Sequence, residues 1–145
     1  RIVVVAESKS GEKRVALLPD IISKLTRAGL TVAIESGAGL NAGASDDAFV
    51  TAGAEVFPSS SQNKELSGAD VVLSVQPLNP QQASSLKSGA ITISFLSPSS
   101  AADSIAAYEF HDVGLAVHHQ QVDEEQAKND GEQHWPTPCG YDHID

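Results

Sequence analysis

Six apolar runs, each just long enough for a buried strand, recur along the first 117 residues and restrict the possible folds more than any other feature. They are "RIVVVA", "TVAIES", "AEVF", "DVVLSV", "AITISFL" and "GLAV". None alternates strictly between apolar and polar residues. Strands with one face in water alternate, whereas strands covered on both faces read as continuous β-branched runs. Between the runs lie helix-sized intervals, and strand–helix alternation of this kind builds a parallel sheet with helices packed on both faces. The expected fold is therefore a doubly wound α/β domain.

The helical intervals carry their own punctuation. In "PDIISKLTRAG", Pro19 suits a first turn, Ile21, Ile22, Leu25 and Ala28 fall on one face, and Gly29 ends the element. "SDDAFVTAG" is a short helix with Ser45 as its N-cap, "NPQQASSLK" a second, and "SSAADSIAAYEF" a third. The Ser/Gln/Asn-rich stretch before "DVVLSV" has room for one more helical turn. No internal repeat is present.

Charge divides the chain. Residues 1–117 hold 12 acids and 8 bases, while residues 118–145 hold 7 acids and one base, together with four of the five His, the only Cys and the only Trp. This last segment, "HHQQVDEEQAKNDGEQHWPTPCGYDHID", shows neither helical nor strand period. It has too few apolar side chains to offset the entropy of ordering it. Two regions are expected: a domain over 1–117 and an irregular, polar tail over 118–145. A net charge of −10 argues against binding nucleic acid or an anionic membrane surface. One Cys excludes an internal disulfide. No run is long enough to span a bilayer, no signal peptide opens the chain, and the lack of an initiating Met reads as a trimmed or partial chain.

Gly37, Gly39 and Ala42 stand at the spacing of a dinucleotide-binding turn, after the strand "TVAIE" and ahead of Glu55 at nearly ribose distance. A working turn presents bare N–H groups of a helix start to the pyrophosphate. Here the following helix starts at Ser45, with Asp46 and Asp47 in its first turn, where they complement the dipole and repel phosphate. Ala42 falls about three residues ahead of that helix instead of inside it. The loop is expected to be a plain strand-to-helix connection.

"GEKRVALLPD", "AGLTVAIESGAGLNAGASDDAFVTAGAEV", "ADVVLSVQP" and "AITISFLSP" together closely resemble the N-terminal domain of the alpha subunit of proton-translocating NAD(P) transhydrogenase, a family related to alanine dehydrogenases. The resemblance covers roughly residues 1–117. It implies a Rossmann-like domain that does not itself hold the nucleotide. A second domain, later in the full-length protein, binds NAD(H), and the complete enzyme passes hydride between NAD(H) and NADP(H), coupled to proton movement. The implied partners are a second copy of the chain in a dimer and the membrane and NADP(H)-binding domains. The implied location is the cytoplasmic or mitochondrial-matrix face of a membrane complex. No cofactor is expected to bind this chain alone.

The related alanine dehydrogenases place an Arg, a Lys and a His around a 2-oxo acid. By resemblance the Arg matches Arg14, but Ser74 stands at the Lys position and Ser97–Pro98 near the His. Neither replacement protonates a ketone near neutral pH. From His118 onward the chain departs from the family, whose Arg, Gln and Asp reach the nicotinamide there, and no such role is carried across. No catalytic residue is assigned. An alanine-dehydrogenase-like oxidoreductase and a stand-alone, non-catalytic interaction module remain as alternatives.

Three residues are candidates for lining a cofactor cleft. Arg14 has a donor fork suited to an anionic group, or it is a surface Arg paired with Glu12 or Glu7. Ser74 and Gln76 fall at the C-terminal end of an expected parallel strand, where ligands of open α/β sheets collect, or they are ordinary strand-end polar residues. His118, His119, His134, Cys139 and His143 match no compact metal motif, so no native metal site is expected. Asp46–Asp47 reads as helix capping and Asp123–Glu124–Glu125 as a solvated acid cluster.

Overall fold

The computed structural model of the 145-residue chain describes residues 1–95, 108 and 113–118. The six apolar runs form six strands: β1 (Ile2–Val4), β2 (Val32–Glu35), β3 (Glu55–Phe57), β4 (Val71–Leu73), β5 (Ile91–Phe95) and β6 (Gly114–His118). Among the described residues the α-helices between them are α1 (Pro19–Arg27), α2 (Asp46–Thr51), α3 (Gln62–Ser67) and α4 (Pro80–Ser84), and Tyr108 is also helical. The strands make one sheet in the order β3-β2-β1-β4-β5-β6, and every pairing is parallel. The expected doubly wound α/β architecture is therefore the observed one. The helix expected over "SSAADSIAAYEF" lies outside the described residues except for Tyr108, and so does the tail beyond His118.

Alternation along each strand divides the core in two. Val4, Val32 and Ile34 point to the face where Ile22 of α1 and Phe49 of α2 are fully buried. Val3, Ala33, Phe57 and Val72 point to the opposite face, against Leu66 of α3, Ala83 of α4 and Tyr108. Connections β1–β2–β3 thus use one face and the later ones the other. The winding reverses between β1 and β4, which leaves a crevice at the carboxyl ends of those two strands.

Local signals set the helix starts. The Ser45 hydroxyl accepts from the Ala48 N–H at 3.3 Å, as expected for an N-cap. Asn79 and Gln82 close a reciprocal capping box on α4, at 2.9 and 3.0 Å. In α1 the buried stripe is narrower than its spacing implies. Ile22 is buried and Leu25 packs on the core, but Ile21 and Ala28 are exposed. Nine residues make only two and a half turns, and Ser23 and Thr26 take the flanking positions, with hydroxyls reaching the Ala52 carbonyl at 3.5 and 3.4 Å.

β5 departs from the expectation of two covered faces. Thr92 and Ser94 are buried on the α3/α4 side, while Ile91, Ile93 and Phe95 stay 42–43% exposed on the other. Register places Ile91 and Ile93 beside Val71 and Leu73. The α1/α2 layer ends over β4, so among the described residues the apolar side of β5 stays partly open, with Arg14 over the Phe95 ring.

Candidate functional site

The Gly37–Ala42 loop is tied to a carboxylate at the start of α2. The Asp46 side chain accepts from the Ser36 hydroxyl at 2.7 Å and from the Gly37 N–H at 2.9 Å. These bonds, the hydroxyl first, hold its pKa below the usual carboxylate value. Gly37 has φ of +80°, which favours glycine. Gly39 is required for space: a Cβ there would stand 2.4 Å from Phe49 Cε2 and 2.7 Å from the Ala44 carbonyl oxygen. Ala42 ends a 3₁₀ turn over Leu40–Ala42, ahead of α2. Glu55, the acid at ribose distance, instead pairs with Arg1 at 2.7 Å. The glycines thus shape and pack a strand-to-helix loop.

The crevice between β1 and β4 is likewise occupied by side chains of the chain itself. Glu7, just past β1, accepts from the N–H groups of Val75 and Gln76 at 2.6 and 3.0 Å. Burial raises its pKa, and the two N–H bonds partly oppose that rise. Glu35, 3% exposed at the end of β2, accepts from the Ala6 N–H at 2.9 Å and from Gln62 Nε2 at 2.8 Å. Neither acid stood out in sequence as a ligand-position residue. Their signal was the repeated "ES" directly after an apolar run, in "VVVAES" and "TVAIES". In a parallel sheet that position faces the crevice.

Beside the crevice opens a hollow of about 380 Å³, lined by Arg14, Val15, Leu73, Ser74, Ile93 and Phe95 among others. That volume lies in the range of small-molecule clefts. Arg14 and Ser74 therefore meet at one hollow. Gln76 lies outside its lining, just beyond β4. The Arg14 guanidinium is paired with Glu12 and not with Glu7: Nε and Nη2 donate to the two carboxylate oxygens, each at 2.7 Å. Its Cζ stands 5.7 Å from the centroid of the Phe95 ring. Arg14 and Gln76 hold the Glu12 carboxyl well below the usual carboxylate range. Among the described residues no cluster of His, Cys, Asp and Glu could hold a metal ion, and no helix is long and apolar enough to cross a membrane. Of the histidine and cysteine positions in the last segment, only the backbone of His118 is described. Ser97 and Pro98 also lie outside the described residues.

Comparison with known proteins extends these observations. Residues 3–125 match the family model described as "Alanine dehydrogenase/PNT, N-terminal domain". NAD(P) transhydrogenase subunit alpha of Cereibacter sphaeroides is 41% identical over 93 residues, which are 64% of this chain and 17% of that protein. An NAD(P) transhydrogenase subunit alpha chain of Rhodospirillum rubrum is 37% identical over 101 residues, 66% of this chain and 26% of that one. The crystal structure of transhydrogenase from Sinorhizobium meliloti superposes with a TM-score of 0.74 at 27% identity, covering 87% of this chain and 37% of that chain. The chain thus spans about a sixth to a quarter of the two curated relatives' lengths.

Proposed function

The chain belongs to the family of the alanine dehydrogenase/PNT N-terminal domain, and from that premise we propose that it is the N-terminal domain of a transhydrogenase alpha subunit. In this reading it builds one wall of a cleft for NAD(H), while a second domain of the full-length protein holds the nucleotide. The whole assembly comprises a homodimer partner and membrane and NADP(H)-binding domains. It transfers hydride between NAD(H) and NADP(H) and couples the transfer to proton translocation, with this domain on the cytoplasmic or mitochondrial-matrix side. Arg14, Ser74 and Gln76 belong to the cleft wall, and none takes part in hydride transfer.

The observation that carries this reading is the occupancy of the crevice by carboxylates. A pyrophosphate is held by free backbone N–H groups. Those of Ala6, Gly37, Val75 and Gln76 already donate to Glu35, Asp46 and Glu7. A dinucleotide would have to displace Glu7 and Glu35 at that crevice, or Asp46 at the Gly37–Ala42 loop, and each acid also repels its phosphates. The hollow at Arg14 and Ser74 opens beside the crevice and suits contact with a ligand held elsewhere. Against an alanine-dehydrogenase reading, the Ser74 hydroxyl cannot serve as acid or base near neutral pH.

Calorimetric titration of the chain with NADH tests the proposal. One wall with a single Arg contributes about 1–3 kcal/mol, against roughly 8 kcal/mol for micromolar affinity. The expected result is no binding in the micromolar range. A low-micromolar Kd would overturn it. Gly39→Val is not a suitable control, because the added side chain would collide with Phe49 and the Ala44 carbonyl.

A further inference from the structure

Gln76 sits at the junction of three groups. Its backbone N–H donates to Glu7 at 3.0 Å, its side-chain Nε2 donates to Glu12 Oε2 at 2.8 Å, and its Oε1 accepts from Lys9 Nζ at 3.4 Å. Glu12 in turn accepts from Arg14 three times: from its backbone N–H at 3.1 Å, and from Nε and Nη2 at 2.7 Å each. The two residues that flank Lys13 are thus clasped to each other, and the clasp is tied through one amide to the end of β4. We infer that Gln76 and Glu12 are positioning residues. They fix the Arg14 guanidinium in one orientation over Phe95, leaving Nη1 to serve an anionic group in the hollow.

Three features of the geometry support this. Arg14 is exposed, with 62% of its side chain in contact with solvent, and an exposed Arg otherwise samples many rotamers. Glu12, its clasp, is by contrast only 8% exposed and cannot follow a moving guanidinium. The bidentate pair occupies Nε and Nη2, so the donor edge that remains is the one carrying Nη1. The amide is also the fitting group at position 76. A carboxylate there would set a third acid beside Glu7 and Glu12 and lose the donor that Glu12 requires.

The anion-binding half of this inference rests on the cleft-wall reading above, whereas the orientation of Arg14 does not. Nitrogen-15 NMR of the full 145-residue chain separates the two through the Arg14 Nε–Hε signal. The wild-type chain should give one sharp, slowly exchanging signal. Gln76→Ala should broaden it and speed its exchange severalfold while the backbone signals of β1 and β4 stay in place. Glu12→Gln, which keeps the shape but loses the charge, should do the same, and Glu12→Asp should restore part of the order. An averaged Arg14 signal in the wild-type chain would overturn the inference, as would a sharp signal unchanged in both Gln76→Ala and Glu12→Gln. Inorganic phosphate is then titrated as the anion probe. It should shift the Arg14 signal in the wild-type chain at about tenfold lower concentration than in Gln76→Ala. An ordered Arg14 that phosphate never shifts would count against the cleft-wall reading and overturn the anion-binding half of the inference.

Discussion

At the scale of single residues, Gly39 and Asp46 define the loop that most resembles a nucleotide site. Gly39→Ala is expected to cost about 1–3 kcal/mol, because the new methyl group meets the Ala44 backbone as well as a phenyl ring. Thermal denaturation should show a fall in Tm of several degrees; an unchanged Tm would mean that the loop gives way freely. Asp46 carries a pH signature. Its carboxyl is held below its ordinary value of 3.8, so its ionised form favours the fold. That contribution is fully present above pH 3.8 and is lost as pH falls through the lower folded value. Asp46→Asn should therefore cost about 0.3–1 kcal/mol at neutral pH, and the gap between mutant and wild-type melting curves should close in acid. The capping role of Ser45 was legible in sequence because its partner Ala48 lies in the same turn, whereas Asp46 reaches back across the loop to Ser36 and Gly37. The Gly39–Phe49 contact was not legible, since its close approach depends on how the loop folds back over α2.

Among the elements, α4 tests how far local signals reach. It is only five residues long, and its capping box satisfies donors that so short a helix cannot satisfy itself. Asn79→Ala is expected to cost about 1 kcal/mol, measurable by denaturant unfolding as a lower midpoint with unchanged slope. A cost near zero would mean that Pro80 and the buried Ala83 hold the helix alone. Strand existence and direction were readable from apolar runs separated by helices. Which side of β5 lies buried was not. "AITISFL" opens on Ala90–Ile91 and closes on Phe95–Leu96, so it reads with the other runs as covered on both faces, although Thr92 and Ser94 interrupt it. The structure buries Thr92 and Ser94, because α3, α4 and Tyr108 cover that side and the α1/α2 layer stops at β4. The crevice placement of Glu7 and Glu35 was not readable for a similar reason. Their partners lie 68 and 29 residues away, at Val75 and Ala6, and only the strand order brings them together.

For the whole molecule, the proposed boundary after residue 117 predicts that deleting residues 122–145 leaves Tm within a few degrees, where the loss of a contact of about 1 kcal/mol would already move it by several. A larger drop would show that Trp135 or Tyr141 docks on the domain. The apolar side of β5, half-exposed among the described residues, predicts concentration-dependent association, visible in sedimentation at several loadings and weakened by Ile93→Lys. A chain that stays monomeric throughout would count against that surface as an interface. The strand order carries a further consequence, for the chain as it is made. β1 lies at the centre of the sheet, yet its two neighbours are completed at very different times. Residues 2–4 can pair with Val32–Ile34 early, but their other edge must wait for Val71–Leu73. At roughly five to twenty residues per second, the ribosome needs several seconds to supply the intervening stretch. Through that interval an apolar central strand is an open edge, and an open edge is a template for a stranger. It is in the nascent chain, more than in the finished domain, that this strand is exposed to mispairing.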